Sequence, residues 1–151
     1  MQTLKREHLV QVKPETMQRL KITFFSAIGC GLFAHLFGMV NVLKNYDNIA
    51  SEGYGRGVTL GRWLLQIMGD FLWHYWESWN VSFYNNTLFL LMIAVAACVI
   101  VLIFDIRDPL FCGLWGGIFA VFPTVTATMF FAFTTPYYGV GILLAVASAY
   151  V

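Results

Sequence analysis

The chain alternates between long apolar stretches without charge and short segments that hold every charged residue. No Asp, Glu, Lys or Arg occurs from Ile22 to Leu43, from Ser78 to Phe104, or from Pro109 to Val151. At about 1.5 Å of rise per helical residue, Ile22–Leu43 extends roughly 33 Å, enough to cross a hydrocarbon core of about 30 Å. Thr87–Phe104 lies near the lower length limit for a span, Leu110–Phe133 is long enough, and Tyr137–Val151 is apolar but short. The pattern predicts an all-α membrane protein with three to four transmembrane helices. Residues 1–21 form a polar tail with a short helix after Pro14, and residues 22–151 form the transmembrane domain.

The connection between the first two spans, residues 44–86, is far longer than a turn requires, and long connections are usually functional or disordered. Its apolar content argues against disorder. The first part, Lys44-Asn45-Tyr46-Asp47-Asn48 and Gly53-Tyr54-Gly55-Arg56-Gly57, has the composition of a loop. Thr59–Trp76 instead shows helical periodicity. Arg62, Gln66 and Asp70 recur every fourth residue, and Leu60, Leu64, Ile67, Met68, Phe71 and Leu72 fill the rest. Such a helix lies in the membrane interface or packs on other spans of the same protein. Four of the five tryptophans, Trp63, Trp73, Trp76 and Trp79, fall in or beside it, and His74 belongs to the same interfacial stretch. By contrast, Asp105-Ile106-Arg107-Asp108-Pro109 is a short turn, so the second and third spans should pair antiparallel. Gly113 and Gly117 form a small-xxx-small pair suited to close helix approach, and Pro123 should kink the third span. A tight turn is expected at Thr134-Thr135-Pro136-Tyr137-Tyr138.

Composition sharpens this picture. The chain is 59% hydrophobic and 11% charged, against about 25% charged in soluble domains. Lys5, Arg6, Lys13, Arg19 and Lys21 precede the first span, which predicts a cytoplasmic N-terminus and an external 44–86 loop. The apolar run is too long for a signal-peptide core of about 7–15 residues, so it reads as a retained anchor. A net charge of +1 gives no reason to expect a nucleic-acid partner. Cys30, Cys98 and Cys112 fall within the spans without metal-ligand spacing and read as packing residues. No metal or other cofactor is called for.

Few residues have the chemistry to act in such a setting. Asp47 follows the first span closely and is either a general base toward an acceptor hydroxyl or a solvated loop carboxylate. Glu52, beside Gly53, is the second catalytic candidate. Asp70 reads as structural, paired through Gln66 with the Arg62 face. Lys44, Arg56 and Arg62 are the cations of the external loop, and either bind phosphate or anchor the loop to lipid headgroups. His35 is an ionisable residue inside a span, and is either functional or a neutral ring bonded to a neighbouring helix. Asn80-Val81-Ser82 and Asn85-Asn86-Thr87 match the glycosylation pattern.

Lys44-Asn45-Tyr46-Asp47-Asn48-Ile49, followed by Gly53-Tyr54-Gly55 and Leu60-Gly61-Arg62-Trp63-Leu64, resembles the first external loop of the type II Gtr glucosyltransferases. These are bacterial and phage membrane enzymes of O-antigen and related envelope glycosylation. The resemblance covers roughly residues 15–151 and implies a GT-C-like polytopic fold in the bacterial inner membrane. It also implies transfer of a sugar, usually glucose, from a polyprenyl-phosphate donor to an envelope glycan on the outer face. Asp47 and Glu52 would then be the catalytic candidates. Lys44, Tyr54, Arg56, Arg62 and Trp63 would contact the substrate, and membrane lipid would surround the protein.

Two departures stand out. Family loops often carry two adjacent acidic residues, and here Asn48 occupies the second place. Family members are also several times longer, so the chain is expected to be an N-terminal portion, a truncated frame or a short relative without activity. A different class of function, a non-enzymatic membrane protein such as a lipid-linked-sugar translocase or assembly partner, suits the length alone.

Overall fold

The computed structural model describes residues 13–41, 61, 63–64, 66–68, 70 and 82–151. These residues are helical or in short turns, and no strand occurs among them. Among the described residues the helices with defined bounds are α1 Pro14–Val40, α2 Ser82–Ile103, α3 Pro109–Val121, α4 Pro123–Met129 and α5 Thr135–Tyr150. By length and composition, α1 and α2 can each cross a membrane, and the bent pair α3–α4 counts as a third crossing if it is one span. At 16 residues, α5 reaches about 24 Å, in keeping with the shortness of its apolar segment.

The short helix expected after Pro14 and the first span are one continuous helix. Pro14 sits in the first turn, where its missing N–H costs nothing, and the Met17 amide donates to the Lys13 carbonyl at 3.0 Å. The helix ends at Asn41, whose backbone N–H and side-chain Nδ2 both donate to the Phe37 carbonyl at 2.9 Å. One face of α1 is buried at every fourth residue: Thr23, Ala27, Gly31, His35 and Met39. The opposite side exposes Phe25, Phe33 and Phe37, with Phe33 95% exposed. In water such a face would be untenable; in lipid it is the expected solvent-facing surface.

Helix α1 packs on both α3 and α2, which also touch each other, and α2 packs in turn on α5. Small residues allow the close approach of α1 and α3. A Cβ built on Gly116 would collide with the Thr23 backbone, and one on Gly117 would stand 3.0 Å from Cys30 Sγ. Gly113 has more room, with Ile22 Cγ2 at 3.6 Å. The contact therefore centres on Gly116 and Gly117 rather than spreading evenly over Gly113 and Gly117. Ser26 Oγ reinforces it by donating to the Gly113 carbonyl at 2.7 Å. The core between the helices includes Ala27, Phe89, Leu90, Ile93, Ala94 and Ala120.

The turn joining α2 to α3 is a Schellman motif. Ile106 N–H bonds to the Val101 carbonyl at 3.0 Å and Asp105 N–H to the Leu102 carbonyl at 3.2 Å, with Asp105 at φ 46°. Glycine usually takes this left-handed position. Here the aspartate side chain is held from two sides, by Arg107 and by Arg19 of α1. Asp108 then caps α3, accepting from Leu110 N–H at 2.8 Å and Phe111 N–H at 3.1 Å.

The hydrogen bonds from Arg107 and then Arg19 hold the Asp105 carboxyl below its ordinary range. A depressed carboxyl pKa adds stability that is complete above the unfolded value, near 3.9, and is lost as pH falls through the folded value. The melting temperature of the purified protein in detergent should thus be level down to about pH 4 and fall below it. In Asp105→Asn the part of that fall carried by this carboxyl should be missing. An identical acid profile for the two proteins would show that the turn contributes nothing.

Pro123 does break the third span. Phe122, the residue before it, adopts φ −58° and ψ 138°, the extended geometry that a following proline favours. The two halves meet at 41°.

Candidate active site at the loop end of the bundle

The end of α1 at Val40 and the start of α2 at Ser82 lie at one end of the bundle, the end joined by the long connection. A helix break exposes backbone acceptors at that end. With Phe122 extended, the last carbonyls of α3 have no donor in the next turn of the same helix. His35 meets one of them: its Nε2 lies 3.0 Å from the Ala120 carbonyl oxygen, with the residue 6% exposed. Since a carbonyl only accepts, Nε2 must carry the proton, and in the neutral ring Nδ1 is left as an acceptor.

The asparagines at the start of α2 do the same for the segment after α4. Asn85 Nδ2 donates to the Ala132 carbonyl at 2.9 Å, and Asn86 Nδ2 to the Met129 carbonyl at 3.3 Å. Thr135 Oγ1 donates to Asn86 Oδ1 at 3.2 Å. Side chains of α1 and α2 thus hold the backbone on both sides of α4, His35 at the end of α3 and the two asparagines at Met129 and Ala132. Because these polar groups are satisfied inside the bundle, α2 begins at Ser82, earlier than the apolar run that starts at Thr87. Asn85 is only 5% exposed, which removes Asn85-Asn86-Thr87 as an accessible glycosylation site. Asn80 lies outside the described residues.

Between the end of α1, the start of α2 and α4 lies a cavity of about 200 Å³. His35, Ser82, Asn86 and Thr126 give it a polar side, and Phe37, Met39, Met129 and Phe130 an apolar one. A site of mixed lining at a helix break is suited to a ligand that joins an apolar chain to a hydroxyl-bearing head. Among the described residues no group of three or more His, Cys, Asp or Glu is placed to hold a metal ion.

Of the residues singled out in the sequence, Asp47, Glu52, Lys44, Tyr54, Arg56 and Arg62 lie outside the described residues. Trp63 is described: it is helical and 62% exposed, as are its neighbours Leu64 at 43% and Ile67 at 58%. Gln66, Met68 and Asp70 are helical too, and Gln66 Nε2 donates to Asp70 Oδ1 at 3.0 Å. These residues have the exposed apolar side and the polar Gln66–Asp70 pair expected of Thr59–Trp76; the remainder of that stretch is not described. His35 takes the interhelical hydrogen bond that was one of its two readings, and it also lines the cavity.

Sequence reasoning passed over Ser82, Asn86 and Thr126 as site residues. Asn86 had one available signal, namely two consecutive amides at the head of an otherwise apolar run. Ser82 and Thr126 had none, since isolated hydroxyl residues are common in membrane helices.

Comparison with known proteins adds one finding. The family described as Glucosyl transferase GtrII matches residues 36–151, a span that starts beside His35 and takes in the loop and α2 to α5. No curated protein and no solved structure matches the chain significantly.

Proposed function

Since this chain belongs to the glucosyl transferase GtrII family, we propose that it acts, by itself or as the N-terminal part of a longer enzyme, as a membrane glycosyltransferase that moves a sugar, glucose in this reading, from a polyprenyl-phosphate donor to an envelope glycan at the outer face of the bacterial inner membrane. Family membership carries the reading. The cavity at the loop end supports it, because it offers hydroxyl and amide groups beside an apolar wall at the level where a lipid-linked sugar would enter.

In the proposed reaction an acceptor hydroxyl oxygen attacks the anomeric carbon of the donor sugar. The new glycosidic bond forms as the bond from that carbon to the phosphate oxygen breaks. The acceptor proton passes to the Asp47 carboxylate, and polyprenyl phosphate departs with the bonding electrons. A phosphate is already a good leaving group, so the protein need supply only position and one base. Asp47 follows Asn41 by six residues, a tether of at most about 22 Å, which keeps it within reach of the cavity. Arg62 and Lys44 would hold the phosphate, with Arg56, Tyr54 and Trp63 as further substrate contacts. Glu52 is the alternative base.

Sidedness is tested by labelling. In a protein whose native cysteines are replaced by alanine, Ser51→Cys should react with a membrane-impermeant maleimide added to intact cells, and Thr3→Cys should not. The reverse pattern would move the loop to the cytoplasm and defeat an outer-face reaction.

A further inference from the structure

The opposite end of the bundle holds a second cleft, of about 480 Å³, between the start of α1 and the α2–α3 turn. Lys13, Glu15, Thr16, Arg19, Asp105 and Arg107 line it, and Ile22, where the uncharged run begins, forms part of its wall. Its charges are arranged around one carboxylate. Arg19 NH1 donates to Asp105 Oδ1 at 3.1 Å and to the Ile106 carbonyl at 3.0 Å, while NH2 donates to Thr16 Oγ1 at 3.2 Å. Arg107 grips Asp105 Oδ2 through Nε at 2.8 Å and through NH2.

Among the side chains that line the cleft, two guanidinium groups on one carboxylate leave a surplus of one positive charge, and Lys13 and Glu15 cancel each other; the Asp108 carboxylate of the same turn is not part of the lining and is engaged by the Leu110 and Phe111 N–H groups. Each guanidinium also has N–H donors beyond those it uses, since arginine carries five. The Arg19 side chain is only 16% exposed, whereas Arg107 is 79% exposed. A surplus cation half sunk against an apolar bundle favours a monoanion that can take those donors. Phe104, Leu110 and Phe111, which flank the turn, are 73%, 68% and 62% exposed. An inorganic ion would gain nothing from them, whereas acyl chains would cover them.

We propose that this cleft binds the phosphodiester headgroup of one anionic phospholipid, with its acyl chains along the exposed apolar residues of the turn and of α3. One phosphodiester balances the surplus charge, and the cleft lies at the level where the first span leaves the hydrocarbon. The lipid would bridge α1 to the α2–α3 turn, adding to the Arg19–Asp105 contact. This site is separate from the loop-end cavity and does not depend on the transfer reaction.

The test is native mass spectrometry of the full chain in a neutral detergent. Phosphatidylglycerol, phosphatidylcholine of the same acyl chains, and inorganic phosphate are added separately. One phosphatidylglycerol should be retained per chain in preference to phosphatidylcholine. Each cation removed should weaken retention roughly fivefold, so Lys13→Gln with Arg107→Gln should lose about twenty-five-fold. Circular dichroism checks that the double variant folds. Lys13→Gln alone, at a side chain with no hydrogen bond to lose among the described residues, carries the test if it does not. Equal retention of the two lipids, or unchanged retention in the variants, would overturn the proposal. Displacement of the lipid by millimolar inorganic phosphate would reassign the cleft to a free ion and overturn it as well.

Discussion

Replacing Asp47 with asparagine is expected to lower glycosyl transfer by about 10²–10⁴-fold, the usual contribution of a general base. Asparagine keeps the size of the side chain and its acceptor oxygen but cannot take a proton at neutral pH. Binding of the lipid-linked donor should change little, so the loss should appear in kcat more than in KM. Arg62→Lys should behave differently. One ammonium cannot reproduce a bidentate fork on a phosphate, so donor KM should rise while kcat suffers less. The comparison separates the roles of the two residues. Near-normal transfer by Asp47→Asn would remove Asp47 from the mechanism and turn attention to Glu52.

The second large effect is structural. Gly116→Val should push α1 away from α3, because even the first added carbon meets the Thr23 backbone, standing 3.1 Å from its carbonyl carbon and closer to its oxygen. Backbone cannot swing aside as a side chain can. The cost should therefore reach or exceed the upper end of the usual 1–3 kcal/mol for overpacking, about 3 kcal/mol. Gly29 is the control. Nothing lies within 4 Å of a Cβ there, so Gly29→Ala should stabilise the helix by about 0.5–1 kcal/mol. Thermal melting in detergent would show shifts of opposite sign. A Gly116→Val protein as stable as the original would mean that α1 and α3 are not packed through this contact.

The distribution of charge along the chain made the membrane class legible, because a hydrocarbon core excludes Asp, Glu, Lys and Arg almost regardless of fold. Pro123 was equally plain: a proline within a span must disturb the helix locally. What depended on distant partners was harder to read. The polar first turn of α2 looked like loop, since nothing near Asn85 and Asn86 in the sequence could satisfy them. Their partners are the carbonyls of Met129 and Ala132, freed by the irregular backbone that follows α4. Likewise, the spacing of Gly113 and Gly117 pointed to the correct face of α3, but which glycine meets backbone depends on how α1 is rotated, and Gly116 does so. The His35 ring illustrates both sides. Its position inside a span marked it for attention, whereas its acceptor, Ala120, exists as an open carbonyl only because Phe122 is extended. The candidate catalytic residues came from the composition of the 44–86 loop and its family resemblance. The cavity came from the packing of α1, α2 and α4.

Glycosyl transfer is the property to measure first. Right-side-out membrane vesicles from cells producing the protein would receive polyprenyl-phosphate glucose, radiolabelled in the sugar, at their outer face together with the envelope glycan. Label should pass from the lipid into the glycan at a rate set by the amount of the protein, and the Asp47→Asn vesicles should fall to near background. Label that stays in the lipid, at the level of vesicles lacking the protein, would contradict the account.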